Sequence, residues 1–413
     1  MNKKEGIFYG WWIVICCFLI MSIIYAPIIN LISVYAKPVS TDLGVKMPTY
    51  TYYFTIMSLT SLVALPFVGQ MMKKFNNKII IILGILMCGT SFIGFSMAND
   101  LKHFYALAVV QGIGFTTACL IPPSLLVTNW FNEKRGLALG LVMSGSGIGG
   151  AVLSIFMTQL IVSHSWRTAY MVTGCMILLM IPLVVFVIKL KPSDIGLEPL
   201  GQVLVRGEAK GLTQKESMAT ISFWLLFIAI IVTAIFINGF SMYSIPYLTG
   251  LKYTPQNAAL ILSVSMISLA LAKIVIGRTY DRLGITPTIW IVGICTLLAL
   301  ISYKCASIKV FGVAGAMLMG VAGTHMTVTI SYLTASFFGD KDFGAKYSVM
   351  SIAAGLGATL APIVSGMIYN NSKNFSTLIY IFMGFAIVAF ILYLVSNSLR
   401  PKYNTVNIES QKK

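Results

Sequence analysis

The chain has 413 residues, of which 57% are hydrophobic and only 10% are charged, and its mean hydropathy is +0.87. A soluble domain is typically about a quarter charged, so this composition excludes a water-soluble globular protein. The net charge of +17 comes from 29 Lys and Arg against 12 Asp and Glu. In so apolar a chain, this excess is typical of the cytoplasmic loops of a membrane protein and not of a nucleic-acid-binding surface.

Apolar stretches recur along the whole chain, each close to the roughly 20 residues that cross a bilayer as a helix. They are continuously apolar, which favours helices over the alternating strands of a β-barrel. The first stretch continues to about Tyr35 without a small-residue cleavage site, so we expect a retained helix and not a signal peptide. The sequence predicts an all-α integral membrane protein with twelve transmembrane helices, at residues 8–36, 50–72, 79–98, 104–129, 136–162, 167–190, 220–247, 256–278, 287–304, 310–337, 346–369 and 375–397.

Lys and Arg are distributed unequally between the two sides of these spans. The side of both termini carries 20 of them and the other side carries eight, while Lys273 is left inside a span. The positive-inside rule therefore predicts that both termini are cytoplasmic. The seven cysteines lie in or beside apolar runs without metal-type spacing, so we interpret them as small core residues and not as disulfides or ligands.

The longest polar stretch, residues 191–219, divides the chain into two sets of six spans and has the composition of a linker. Two short motifs repeat across it at nearly one offset. Gly69-Gln-Met-Met-Lys-Lys-Phe corresponds to the segment from Gly277, and Trp130-Phe-Asn-Glu-Lys corresponds to the segment from Phe337. The repeats predict a duplicated six-helix unit with a site between its copies. The predicted domains are a six-helix half at 1–190, a cytoplasmic linker at 191–219, and a second half with a short cytoplasmic tail at 220–413.

One of these motifs, Gly277-Arg278-Thr-Tyr-Asp281-Arg282-Leu-Gly284, resembles the loop 8–9 signature of the major facilitator superfamily. Its glycines are expected to permit a tight turn at the membrane surface. Asp281 is expected to accept hydrogen bonds from arginines or helix N-termini and so to latch one conformation. The resemblance implies twelve helices in two pseudo-repeat halves, with a conformational latch formed by Gly277, Arg278, Asp281, Arg282, Gly284 and Arg135.

Other segments resemble the monocarboxylate transporter and oxalate/formate antiporter branch of that superfamily. They are Gly10-Trp-Trp, the run from Trp130 to Gly140 with the glycine and serine run from Ser144 to Gly150, and Pro192-Ser-Asp-Ile-Gly-Leu-Glu-Pro. The resemblance implies a secondary transporter of a small organic anion, with a monocarboxylate as the first expectation. The small residues of span 5 also predict close helix packing in their own right.

Lys273 is the leading candidate for the substrate site, because an ionisable group inside a membrane is costly and usually functional. On a helical wheel it shares a face with Ser263, Met266 and Gly277, which predicts that it points into the bundle. Its position resembles that of the substrate-carboxylate arginine of the branch, although a lysine is a point charge and not a bidentate fork. The alternative is a lysine that snorkels to the nearby membrane surface.

The remaining candidates are polar residues within the spans. His325 is either a neutral core residue or a proton site. None of the acidic residues lies inside a predicted span, so Lys273 and His325 are the proton-coupling candidates. The resemblance places five further residues at the substrate cavity, where each is equally consistent with hydrogen bonding between helices: Asn30, Gln111, Asn238, Tyr243 and Tyr347.

The sequence thus predicts a non-enzymatic carrier that moves a small organic carboxylate by alternating access, as a proton symporter or an anion exchanger. We expect a monomer in the cell membrane, and specifically in a bacterial inner membrane. We expect it to bind neither a cofactor nor nucleic acid. One alternative is a carrier of a larger amphipathic or drug-like acid. Another is a non-transporting sensor on a transporter scaffold, and a channel would need a continuous pore.

Overall fold

A computed structural model of the chain describes residues 8–201, 211–339, 341–372 and 374–401. In these ranges eleven helices are long and apolar enough to cross a membrane, and a bent pair supplies a twelfth span. The prediction of an all-α protein with twelve spans is confirmed. Helices 1 to 12 are, in order, Gly10–Ile29 continued by Ile32–Asp42, Met47–Lys74, Asn77–Met97, Leu101–Trp130, Arg135–Ser163, Trp166–Val187, Ile221–Gly250, Pro255–Leu283, Ile285–Lys304, Lys309–Met326 continued by Val328–Phe338, Phe343–Ser372 and Phe375–Ser398.

Helices 1 and 4 each contain one turn of π-helix, at Met21–Tyr25 and Thr116–Leu120. Each turn includes the carbonyl that lies four residues before a proline, Pro27 in helix 1 and Pro122 in helix 4. A proline ring collides with that carbonyl and offers no N–H to it, so the helix widens there. The two irregular turns therefore follow directly from the positions of the prolines.

Helix 10 is bent by 40° between its two parts, Lys309–Met326 and Val328–Phe338. A 3-10 turn at Gly323–Met326 precedes the bend, and Thr327 at the bend has the non-helical backbone angles φ −132° and ψ −77°. Backbone that leaves the helical pattern at membrane depth is tolerated where protein or a cavity surrounds it. The bend interrupts the regular hydrogen bonding of helix 10 at Thr327.

The described residues form two compact units. Unit 1 contains those within Met1–Leu204 and Ser241–Ala270, and unit 2 contains those within Val205–Phe240 and Leu271–Lys413. We call the membrane face that carries the 191–219 linker the linker face, and the opposite one the far face. The far-face parts of helices 7 and 8 belong to unit 1. The predicted division into six-helix halves around the linker stays a prediction.

Buried aromatic side chains hold the far-face ends of the helices in unit 1 together. Tyr35 of helix 1 stacks on Tyr170 of helix 6 with ring centroids 4.1 Å apart. The hydroxyl groups of Tyr170 and of Tyr50, in the first turn of helix 2, are 2.6 Å apart. Phe95 and Phe104 of helices 3 and 4 stack beside them with centroids 4.9 Å apart. The tyrosine hydroxyls are paired, so this burial leaves no polar group of the pair unsatisfied.

The linker is held at both ends by backbone hydrogen bonds to the loops that the sequence identified as repeats. At its first end, Leu200 donates to the Trp130 carbonyl at 2.9 Å and accepts from the amides of Asn132 and Glu133. At its second end, Leu212 donates to the Phe338 carbonyl at 3.0 Å, and Gly211 forms a β-bridge with Gly339. The two anchors fall on the two copies of the repeated loop, at positions that differ by one residue.

Lys346 of helix 11 strengthens the second anchor. Its side chain is fully buried, and its ammonium group donates to the carbonyls of Phe338 and Gly339 at 2.7 Å and of Leu212 at 3.1 Å. Hydrogen bonds to charged groups contribute more than neutral ones. The buried lysine therefore fixes the end of the linker against the loop between helices 10 and 11.

We expect Gly211→Ala to release the second anchor. A Cβ at Gly211 would lie 2.5 Å from Gly339 Cα and from the Phe338 carbonyl oxygen, and its φ of +120° is itself a glycine conformation. The expected cost is about 1–3 kcal/mol of stability, measured as a lower Tm of the purified protein in detergent. Gly344→Ala is the matched control, because a Cβ there meets nothing within 4 Å. Equal Tm values for the two variants would contradict the expectation.

Candidate functional site

Lys273 lies on helix 8 at the border of its buried face. The lysine side chain is half-buried, and Ser263 and Met266 on the predicted inner face are buried. On the other side, Leu271 and Val275 are 61% and 58% exposed, as expected of residues that face lipid. Lys273 forms no hydrogen bond or ion pair with any residue that the structure describes. The helical wheel thus placed the buried and exposed faces of helix 8 correctly, and the role of Lys273 as a substrate site stays a prediction.

The motif after Lys273 differs from expectation in one respect. The sequence predicted that helix 8 ends near residue 278, but it continues to Leu283. Gly277 is therefore helical, and the expected turn there is wrong. The turn occurs at Gly284, whose φ of +84° suits glycine. In the additional turn, Tyr280 is buried and stacks on Tyr332 with ring centroids 4.4 Å apart, a contact that stabilises the extension.

The charged latch residues lie at this end of helix 8. Arg278, Asp281 and Arg282 are exposed, and Asp281 makes no hydrogen bond or ion pair with a described residue. The side chain of Arg135, at the start of helix 5, lies outside the described part of the chain. A latch of this kind is expected to form in only one state of a transport cycle. Its existence stays a prediction.

His325 lies in the 3-10 turn before the bend of helix 10 and is 5% exposed. Its ring stacks on Tyr393 of helix 12, with centroids 5.2 Å apart and an angle of 11°. The Tyr393 hydroxyl accepts a hydrogen bond from Thr233 of helix 7 at 3.4 Å. Among the described atoms, His325 Nδ1 is buried without a hydrogen-bond partner. An unpaired buried nitrogen is uncommon, so a proton site and a neutral core residue both remain open interpretations.

The five polar cavity candidates are distributed over both units, and none forms a hydrogen bond with Lys273. Asn30 Nδ2 donates to the Ser146 carbonyl at 2.9 Å, which ties the interruption of helix 1 to helix 5. Asn238 Nδ2 donates to Ala234 of its own helix at 2.8 Å. Gln111 and Tyr243 are buried, and Tyr347 is half-buried. Their assignment to a substrate cavity stays a prediction.

The glycines of helix 5 bring other helices into backbone contact. A Cβ at Gly145 would lie 2.4 Å from the Phe18 carbonyl oxygen, and one at Gly149 would lie 2.4 Å from Ser22 Cα. On another side of the helix, a Cβ at Gly147 would lie 2.9 Å from the Met266 carbonyl oxygen of helix 8. The close packing predicted for the glycine and serine run is present.

Helices 5 and 8 also share a buried hydrogen bond that the sequence analysis missed. The hydroxyl oxygens of Ser154 and Ser263 are 2.7 Å apart, and Ser263 also donates to the Ala151 carbonyl at 2.7 Å. We call this pair, with the Gly147–Met266 approach, the far-face contact. The sequence does place Ser263 on the small-residue face of helix 8, which indicates that it packs against another helix. The pattern within one helix cannot show which helix that is.

Known proteins resemble this chain in both sequence and fold. The sequence matches the profile of the Major Facilitator Superfamily over residues 11–308 and 288–413. The chain belongs to the major facilitator superfamily. Its fold is similar to that of a bacterial homologue of the human lysosomal transporter Spinster, whose crystal structure is inward-facing and unoccupied. The TM-score is 0.74 at 14% identity, over 97% of this chain and 98% of that one.

Curated members of the superfamily are also similar in sequence. Monocarboxylate transporter 12 of Xenopus laevis is 23% identical over 405 residues, which cover 92% of this chain and 86% of that protein. The mouse protein of the same name is 32% identical over 171 residues, 41% of this chain and 35% of its own length. The oxalate:formate antiporter of Oxalobacter formigenes is 28% identical over 199 residues, 48% of this chain and 46% of that protein. These matches confirm the resemblance that the motifs indicated.

We expect Gly149→Val to disrupt the packing of helix 5 against helix 1 in this superfamily member. The added side chain would meet the backbone of Ser22, which has no flexible end to move away. The expected loss of stability is about 2–4 kcal/mol, measured as Tm in detergent. Gly140→Val on the same helix is the control, since a Cβ there meets nothing within 4 Å. A Gly149→Ala variant serves if the valine variant does not fold, and a Tm equal to that of the control would overturn the expectation.

Proposed function

We propose that this major facilitator superfamily transporter carries a small organic anion, with monocarboxylates as the first substrate class, and that Lys273 binds the carboxylate. The observation that carries the proposal is the ammonium group of Lys273, half-buried on helix 8 and without a partner among the described residues. An ion within a membrane protein is expected to be paired or functional. The names of the relatives, monocarboxylate transporter and oxalate:formate antiporter, support an anion as the partner.

Binding of a carboxylate at Lys273 would also assist the transport cycle. An isolated charge is expensive to move through a low-dielectric barrier, whereas a paired charge costs less. The loaded carrier would therefore change state more easily than an empty carrier whose lysine is charged. If Lys273 remains protonated throughout, the return of the empty carrier is slow and the protein exchanges anions. If it takes up a proton with the substrate, the protein is a proton-coupled symporter.

His325 is the second candidate for a proton site in this scheme. It is buried at the bend of helix 10, and its Nδ1 has no partner among the described atoms. If His325 gained a proton at this buried position, the resulting positive charge would need an anion beside it, and the incoming substrate could supply that anion. The two schemes therefore differ in which residue responds to a proton gradient.

The direct test is flux in proteoliposomes that contain the purified protein. Acetate, lactate and benzoate represent monocarboxylates, oxalate represents dicarboxylates, and each is offered with and without an imposed pH gradient. We expect monocarboxylate flux, and we expect the same compounds to raise the Tm of the protein in detergent. Flux of a larger amphipathic acid alone would favour the alternative substrate class. Ligand stabilisation without any flux would favour a sensor and contradict the proposal.

We further propose that the linker face is cytoplasmic and that the protein is a monomer of the cell membrane. The excess of Lys and Arg on the linker side supports this orientation. Lys210 and both termini lie outside the described residues, so the test uses exposed positions that the structure describes. In a protein whose exposed native cysteines, Cys175 and Cys305, are replaced by serine, a cysteine at Lys309 on the far face should react with an impermeant maleimide in intact cells. A cysteine at Lys215 in the same background should react only after permeabilisation. The reverse pattern would invert the topology.

A further inference from the structure

A cavity of about 640 Å³ opens within unit 1 at the far face. The Ile32–Asp42 segment of helix 1 and the far-face ends of helices 5, 6, 7 and 8 surround it. Its volume is in the range of small-molecule binding pockets, which are mostly apolar with a few polar groups that orient the ligand. The lining has this character, since Trp166 and Pro255 contribute apolar surface and Lys37 and Thr158 contribute polar groups.

The charged groups of the cavity leave one cation without a partner. Asp42 accepts hydrogen bonds from Arg167 at 2.5 Å and from the Trp166 indole at 3.1 Å. The Arg167 guanidinium holds the pKa of the Asp42 carboxyl below its usual value, so this carboxylate is ionised and already paired. Lys37 is exposed and forms no ion pair with a described residue. The charge that the cavity offers to a ligand is therefore positive.

Thr158 is the second polar residue beside the cavity. Its side chain is 4% exposed, lines the cavity from helix 5, and has a buried Oγ1 without a hydrogen-bond partner among the described atoms. Threonines in helices usually donate to the carbonyl of the preceding turn, as Thr173 does here at 2.8 Å. A buried hydroxyl without a partner costs free energy. If the side chain turns toward the cavity, its hydroxyl can pair with an oxygen of the ligand, which would remove that cost.

The cavity is distinct from the position of Lys273. Helix 8 begins at Pro255, a cavity residue, and Lys273 follows 18 residues later, which is about 27 Å along a helix. Ser263 lies between them, where it pairs with Ser154 in the far-face contact. Along helix 8, the cavity residue Pro255 and Lys273 thus lie on opposite sides of the far-face contact.

We propose that this far-face cavity is a second binding site for an amphipathic organic monoanion. One carboxylate oxygen binds Lys37, the other pairs with the Thr158 hydroxyl once that side chain turns toward the cavity, and an apolar ring or chain packs against Trp166 and Pro255. The proposal rests on the proposed function only for the class of ligand. The cavity holds the anion on the side of the far-face contact that is remote from Lys273.

The test is equilibrium dialysis of radiolabelled benzoate against the purified full-length protein. We expect two equivalents bound by the unsubstituted protein and one by Lys37→Gln, while Lys46→Gln, an exposed far-face lysine that does not line the cavity, retains two. Thr158→Val should weaken the cavity equivalent about threefold to tenfold, in the range expected for one hydrogen bond. Without ligand, the valine variant should be at least as stable as the parent, because it removes an unpaired hydroxyl.

The variants separate this proposal from the role of Lys273. Two equivalents in Lys37→Gln would overturn the cavity site, whatever happens at Lys273. Loss of one equivalent in Lys37→Gln together with full binding and flux in Lys273→Ala would retain the cavity and overturn the proposed substrate site. If Thr158→Val binds benzoate with unchanged affinity, the Thr158 hydroxyl does not contribute to the site, and that part of the proposal is wrong.

Discussion

Lys273→Ala is expected to abolish carboxylate transport while the protein still folds. The substitution removes the half-buried cation of helix 8, which has no partner among the described residues, and a bound carboxylate would then be left without a counter-charge. Loss of one partner of such a pair typically costs 2–5 kcal/mol, or roughly 30-fold to several thousandfold in affinity. Initial rates of labelled lactate uptake into proteoliposomes measure the loss. Elution as one sharp peak on size exclusion shows that the variant is folded.

Three further variants sharpen the result. Lys309→Ala removes an exposed far-face lysine and should leave uptake unchanged. Lys273→Arg should retain carboxylate binding, but its guanidinium does not readily release a proton. Gradient-driven uptake that survives in Lys273→Arg and disappears in His325→Ala would assign coupling to the histidine. If Lys273→Ala takes up lactate at the rate of the unsubstituted protein, Lys273 is not the substrate site.

The spans could be predicted from sequence because lipid demands long apolar runs with internally paired backbones. Their ends could not be placed as well. Helix 1 continues to Asp42 and helix 8 to Leu283, beyond the predicted residues 36 and 278. In both cases polar or aromatic residues extend the helix past the apolar run, since backbone pairing and packing, and not hydropathy, decide where a helix stops. Tyr280 on Tyr332 is the clearest example.

The sequence could predict only those features of the candidate site that depend on the residue pattern of a single helix. The face of Lys273 follows from a period of 3.6 residues, and the burial of Ser263 and Met266 agrees with it. The Ser154–Ser263 hydrogen bond joins residues 109 apart, and the cavity near Lys37 combines five helices. Such groupings depend on which helices pack together and at what height, and neither is encoded in the pattern of a single span.

A disulfide across the far-face contact is expected to stop transport reversibly. The Ser154 and Ser263 hydroxyl oxygens are 2.7 Å apart, so cysteines at both positions would bring two sulfurs close enough to bond. Alternating access requires helices that pack together in one state to separate in another. If this contact opens during the cycle, oxidised Ser154→Cys/Ser263→Cys protein should lose roughly tenfold or more of its uptake rate, because each turnover would need the bond to break. A reductant should restore uptake.

The control for this experiment places the second cysteine two residues further along helix 8, on a different face. Ser154→Cys/Ser265→Cys should not cross-link, because successive positions two apart differ by about 200° around a helix. Both pairs are made with Cys175 and Cys305 replaced by serine, since these are the exposed native cysteines among the described residues. Mass spectrometry of the oxidised protein establishes whether the bond has formed. A cross-linked protein that transports at the uncross-linked rate would show that helices 5 and 8 stay together at the far face, and the moving contact would then have to be sought elsewhere in the superfamily fold.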